Sequence, residues 1–241
     1  MGIGRSDVYW ESTYVKSERP DLPLTIAWLV RSATPVTPLE PPPVRLVRWA
    51  IASTALALVS VAILGVRPDV AAQMMNGWFI ARATATLAIV VAAAIVAFFM
   101  SVPGVEPSRP VRAVPLAACL VWAVMLVGTI AATRSPLDVL LQVTPHPSCV
   151  LLVVATALLP GATLVRMLRD AAPLQARWTG GFAGLASLAL GALGTQFVCT
   201  NDAAAHQLLW HFTPVVLLTA ASIAVGSSLL GRPYRQEPHS T

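Results

Sequence analysis

Six stretches of this chain run for about 18 or more residues with almost no charge, the length at which a helix rising 1.5 Å per residue crosses the hydrocarbon of a bilayer. They are Trp49–Val66, Ala83–Val105, Ala113–Thr133, Val139–Val165, Trp178–Asn201 and Gln207–Gly231. Runs of this kind fit helices, which satisfy their backbone hydrogen bonds internally; the alternating pattern of a membrane β-barrel is not seen. Composition agrees: 56% of the 241 residues are hydrophobic and 11% charged, against about 25% charged in a soluble domain. The predicted fold is an all-α integral membrane protein, a bundle of six transmembrane helices with a short cytoplasmic N-terminal segment. In the fourth run His146 and the flanking Pro145 and Pro147 place the helix start near Ser148.

Lysine and arginine divide unevenly between the ends of these spans. Arg5, Lys16, Arg19, Arg31, Arg45 and Arg48 precede the first span, Arg109 and Arg112 follow the second, Arg166, Arg169 and Arg177 join the fourth to the fifth, and Arg232 and Arg235 follow the sixth. The other set of loops holds Arg67 and Arg134, with Arg82 at the edge of the second span, from where it can snorkel to the interface. The positive-inside bias then places both termini in the cytoplasm. It also accounts for the net charge of +5 without a nucleic-acid partner. The segment before the first span is too long for the n-region of a secretory signal, so that span is expected to remain as an anchor.

Four regions follow: 1–21, polar and aperiodic, expected to be disordered; 22–48, a cytoplasmic segment for a partner; 49–231, the six-helix domain; and 232–241, a cytoplasmic tail. Within the second, Thr25–Ala33 can form two helical turns, Pro35 stops them, and the proline-rich 35–43 reads as an extended spacer. A short apolar face on a tethered polar segment suits docking on a partner protein, or lying on the membrane surface with Trp28 as anchor.

No carboxylate falls at the centre of a span, which argues against an ion-coupled transporter, and neither HExxH nor GxSxG occurs, so no enzyme is expected. Pro160 and Pro214 are expected to kink the fourth and sixth helices. In the fifth span Gly180, Gly184, Ser187, Gly191 and Gly194 recur every three or four residues, a close-packing stripe. Cys149 opens the fourth helix and Cys199 closes the fifth. From Trp178 to Cys199 is roughly 32 Å of helix and from Cys149 to Arg166 roughly 26 Å, so an antiparallel pair brings the two thiols to nearly one depth. His146, Asp202, His206 and His211 are near in sequence. Such soft and borderline donors can form a disulfide, bind a thiophilic metal ion, or be plain packing; no resident cofactor is required. A membrane thiol oxidoreductase or haem/quinone-binding protein built on Cys149, Cys199, His206 and His211 is the alternative. Cys119, without polar neighbours in sequence, reads as packing.

The segments LVRSATPVTPLEPPPVRLVRWA, LGVRPDVAA, FFMSVPG with Arg109 and Arg112 following, LVRMLRDAAPLQARWTGGFAGLASLALGALG and CTNDAAAHQLLWH, in this order and at these places relative to the spans, resemble the NrsF family of membrane anti-sigma factors over about residues 22–232. The resemblance implies a multi-pass protein of the bacterial inner membrane whose cytoplasmic N-terminus holds an extracytoplasmic-function sigma factor inactive. It further implies release under metal or oxidative stress sensed by two cysteines, here Cys149 and Cys199. His146, His206 and His211 are added as candidate metal ligands. Trp28, Leu29, Val30, Pro35, Val36 and Leu39 are the candidate contacts for the sigma factor. The lipid bilayer is the other expected partner, with no direct contact to nucleic acid.

Overall fold

The computed structural model describes residues 24, 26–28, 31, 39–171 and 173–231. Six long helices dominate: α1 (Pro42–Leu64), α3 (Gly77–Met100), α4 (Arg109–Ala131), α6 (Pro147–Arg169), α7 (Ala176–Gln196) and α9 (Thr213–Leu230). Short helices α2 (Val70–Gln73), α5 (Pro136–Leu141) and α8 (Ala204–Gln207) lie between them, and a π-turn at Leu208–Phe212 joins α8 to α9. No strand occurs among the described residues. Residues up to Pro38 fall in a second unit; in it Leu24, 26–28 and Arg31 are helical, with Ile26 and Trp28 exposed.

Contacts at both ends show that successive long helices reverse direction. At one end Arg45 of α1 donates to Ser101, just past α3 (3.4 Å), Arg112 of α4 to Gln175, ahead of α7 (3.4 Å), and Arg169 of α6 to the Leu229 carbonyl of α9. At the other end the α1–α2 loop meets the α7–α8 loop and Cys149 meets Cys199. The first is the basic end and the second the cysteine end.

α1, α3, α4, α6 and the stretch Ala204–Leu230 are long and apolar enough to cross a membrane. Their outward faces carry large apolar side chains such as Leu58, Leu87, Leu120, Leu151 and Leu217. α7 differs because its glycines and polar residues lower its mean hydropathy, and most of its side chains are buried by protein. It packs against α9, α3 and α6 and forms the centre of the bundle, where small residues serve better than leucine.

The glycine stripe is the means of that packing. A Cβ at Gly180 would stand 2.7 Å from the Gly226 Cα of α9, one at Gly184 would strike the Ser222 side chain, and one at Gly191 would strike the Val153 carbonyl of α6. Gly194 faces Thr156, and Gly161 of α6 faces Ser187. Where backbones approach this closely a methyl group has no room. Gly191→Ala is therefore expected to destabilise the bundle by about 1–3 kcal/mol, read as a lower unfolding temperature in detergent, whereas Gly128→Ala, with nothing within 4 Å, leaves it unchanged.

The proline-rich spacer ends earlier than its composition suggests. Pro42 and Pro43 form the first turn of α1 instead of extended chain. Prolines fit there because the first N–H groups of a helix have no acceptor and φ is already near −65°; only 39–41 are non-helical among the described spacer residues. α1 then ends at Gly65, whose φ of +91° suits glycine. Pro160 lies inside α6, which is helical on both sides of it; its carbonyl accepts the Trp49 Nε1–H at 3.0 Å, joining α1 to α6, and Pro214 is the second residue of α9, just past the π-turn.

Candidate functional site at the cysteine end

Four elements carry the site. Cys149 lies in the first turn of α6, Cys199 three residues beyond α7, and His206 and His211 on α8 and the π-turn. The Cys199 N–H donates to the Thr195 carbonyl at 2.8 Å, which continues the helical hydrogen bonding past the end of α7. The π-turn admits an extra residue per turn next to His211. The two Sγ atoms are 3.8 Å apart, and His206 Nε2 is 3.5 Å from each. One donor atom from each of Cys149, Cys199, His206 and His211 lies within 4.8 Å of the others.

This triangle has the dimensions of a tetrahedral ion site. Metal–sulfur bonds of about 2.3 Å and metal–imidazole bonds of about 2.0–2.1 Å, at tetrahedral angles, put sulfur atoms about 3.8 Å apart and sulfur and nitrogen about 3.5 Å apart. The donor set is two thiols and two imidazoles, suited to zinc or copper(I) rather than magnesium or calcium. His211 is fully buried, and neither of its ring nitrogens has a hydrogen-bond partner among the described residues. Buried polar atoms are seldom left unpaired, and a ligand in the cluster would satisfy one of them.

His146 stands at the rim. Its ring lies 5.0 Å from that of His206, edge to face, but its Nδ1 is 2.8 Å from the Thr144 carbonyl and it is outside the four-residue cluster. Cys119 lies in α4, away from the cluster. Of the candidate partner contacts, Trp28 is helical and exposed and Leu39 is exposed and non-helical; Leu29, Val30, Pro35 and Val36 lie outside the described residues.

Sequence reasoning missed an ion cluster beside the thiols. Asp202, three residues after Cys199, accepts from Arg67 at 2.6 and 3.1 Å and from Arg82 at 2.7 Å, and Arg67 also grips Asp69 at 2.7 and 2.9 Å. Arg82 turns inward to this carboxylate instead of snorkelling: both arginine side chains are 1% exposed, and each guanidinium lies against the Phe79 ring. The Arg67 N–H adds a 2.9 Å bond to the Phe197 carbonyl. The available signal was the pairing of scarce charges, two arginines and two aspartates at an end otherwise poor in both.

The cluster sets the state of its carboxylates. Burial raises the Asp202 pKa, but the hydrogen bonds from Arg67 and Arg82 outweigh it, and the group lies below its ordinary range. Asp69 is lowered by Arg67 first and Gln73 second. A carboxylate with a depressed folded-state pKa contributes stability that is present above its unfolded value, about 4, and is lost as pH falls through the folded value. The unfolding temperature is thus expected to be insensitive to these groups from neutral pH down to about 5 and to fall below about 4. Asp202→Asn and Asp69→Asn should each remove part of that acid-dependent fall.

A bundle that is all-helical among the described residues, with five apolar stretches long enough to cross a membrane, defines a helical membrane protein. The chain belongs to the family described as negative regulator of sigma F (NrsF), whose model matches residues 29–231. The family description makes a sigma factor the partner. No curated protein and no solved structure matches the chain.

Proposed function

We propose that the protein is a six-span inner-membrane anti-sigma factor that holds an extracytoplasmic-function sigma factor on its cytoplasmic N-terminal segment and releases it when Cys149 and Cys199 capture a thiophilic metal ion or are oxidised. The observation that carries this reading is the triangle of Cys149, Cys199 and His206, with edges of 3.8, 3.5 and 3.5 Å. It lies at the end of the bundle remote from the arginine-rich loops. Six crossings are supported by the reversal of successive helices and by α7, whose 21 residues span roughly 32 Å. The excess of arginine at the basic end supports a cytoplasmic placement of that end and of the N-terminus.

Metal capture would replace thiol protons and draw four side chains from four elements onto one ion. Oxidation reaches the same pair by another route: the two thiols give two electrons and two protons to an oxidant such as a peroxide, which leaves as water, and an S–S bond forms. Either event pulls the segment holding Cys199 and His206. Asp202 lies in that segment and is latched to Arg67 at the end of α1, and α1 runs back to the partner-binding segment. Signal would travel by displacement of α1, and coupling of about 1.4 kcal/mol is enough to change affinity for the sigma factor tenfold. On this reading the chain carries out no catalytic turnover, and Trp28 and Leu39, both exposed, are contacts for the partner.

The test is co-purification. Full-length protein in native membranes is expected to retain a sigma factor, and a chain lacking residues 1–45 is expected to lose it while still inserting. Retention by the truncated chain would place the partner site elsewhere; thiol-dependent reduction of a quinone by purified protein would favour the oxidoreductase reading.

A further inference from the structure

Arg109 and Arg112 belong to neither the cysteine site nor the ion cluster, yet they line a cavity of about 230 Å³ at the basic end, with Met100, Ala113, Leu116, Trp178 and Phe182. The two arginines are three residues apart on α4 and so share a face. Neither is in an ion pair with a carboxylate among the described residues; Arg112 makes one long bond, 3.4 Å, to the Gln175 amide. The floor is apolar, with Met100 and Phe182 buried, while Trp178 and Leu116 are 54% and 56% exposed.

The cavity is graded along the α4 axis. Leu116 lies seven residues beyond Arg109 in α4, roughly 10 Å deeper along the helix axis. Charge sits at the start of α4, an indole beside it in the first turn of α7, and aliphatic surface further along α4. This order matches a phospholipid, with phosphate at the arginines, glycerol near the tryptophan and acyl chain along Leu116. A soluble acidic protein would match the charges and leave the apolar wall unused.

We infer that this cavity between α3, α4 and α7 is a binding site for an anionic phospholipid, whose phosphodiester is held by Arg109 and Arg112. The site would seat a lipid against the first turns of α7, the helix at the centre of the bundle. The inference stands apart from the sigma-factor reading and survives its failure.

Native mass spectrometry of the full-length protein in detergent tests it, using phosphatidylglycerol and phosphatidylcholine of identical chains. Two arginines near a lipid charge predict a preference for phosphatidylglycerol of about tenfold or more. Arg109→Gln/Arg112→Gln should reduce it to about twofold or less, and Arg109→Lys/Arg112→Lys should retain most of it. Arg166→Gln/Arg169→Gln, on the same end but outside the cavity, should leave it unchanged. Unfolding temperatures of all variants are measured alongside, and Leu116→Trp, which narrows the cavity and keeps both charges, should also lower retention. Equal retention of the two lipids by wild type overturns the inference, as does an equal loss in both glutamine pairs, which would indicate a diffuse basic surface. Displacement of the lipid by inorganic phosphate would show a free-anion site, and loss of the sigma factor with lipid retention intact would show a protein contact; either result overturns it.

Discussion

Asp202→Asn is expected to destabilise the folded chain by about 1–3 kcal/mol, because it leaves the buried Arg82 guanidinium without a carboxylate partner, at a site where Asp202 itself is 28% exposed. Arg82 is the group stranded. Its side chain is 1% exposed and Asp202 is its one carboxylate partner among the described residues, whereas Arg67 keeps Asp69. Thermal unfolding in detergent measures the loss. Asp69→Asn should do much less, since Asp69 is 43% exposed and Arg67 would still hold Asp202. Removing both charges, Arg82→Met with Asp202→Asn, should recover most of the stability lost in the single variant, because apolar replacement of a buried pair is often near neutral. A double variant no more stable than Asp202→Asn would show that Asp202 acts on backbone geometry rather than on charge.

The second large effect is on metal affinity. Cys149→Ser or Cys199→Ser should weaken binding of zinc, the probe ion, by on the order of a hundredfold or more, given about 10–16 kcal/mol for a complete four-ligand site. His206→Ala should be comparable, since its Nε2 is 3.5 Å from both sulfurs. His146→Ala should have a smaller effect through the ring packing alone, and Cys119→Ser none. Titration of the detergent-solubilised full chain against a chromophoric chelator gives the constants. Because ligand thiols must lose their protons, affinity should rise with pH, with proton release on binding. Wild-type affinity matched by both serine variants would remove the metal reading.

Much of this was legible in the sequence for definite physical reasons. Apolar runs of crossing length mark helices because lipid imposes one solvent along the whole span, and α1, α3, α4, α6 and Ala204–Leu230 overlap those runs, although α1 and α3 begin well before theirs, at Pro42 and Gly77, and α6 begins at Pro147. The meeting of Cys149 with Cys199 follows from helix lengths on either side of a short loop, and the 3.8 Å between the sulfurs agrees with that arithmetic. The glycine stripe told that α7 is closely packed but not by what: its counterparts Gly226, Ser222 and Val153 have no common spacing that would reveal them. Arg82 was misjudged because a charge at a span edge is read by default as facing water, and its partner lies 120 residues away. Pro42 and Pro43 were read as part of an extended spacer because proline fixes only φ, and a φ near −65° serves a helix start and an extended chain equally well. His211 was visible only as a residue near the cysteines; its burial and unpaired nitrogens depend on the π-turn, which has no sequence pattern of its own.

Release of the partner under control of the thiols is the most direct test. Membranes bearing wild-type protein with its co-purified sigma factor are treated with zinc or with a mild oxidant, and the sigma factor appearing in the soluble fraction is measured against the Cys149→Ser/Cys199→Ser protein. The account predicts release from wild type and retention by the double variant under both treatments. Equal release from both proteins, or none from wild type at metal concentrations that saturate the site, would contradict it.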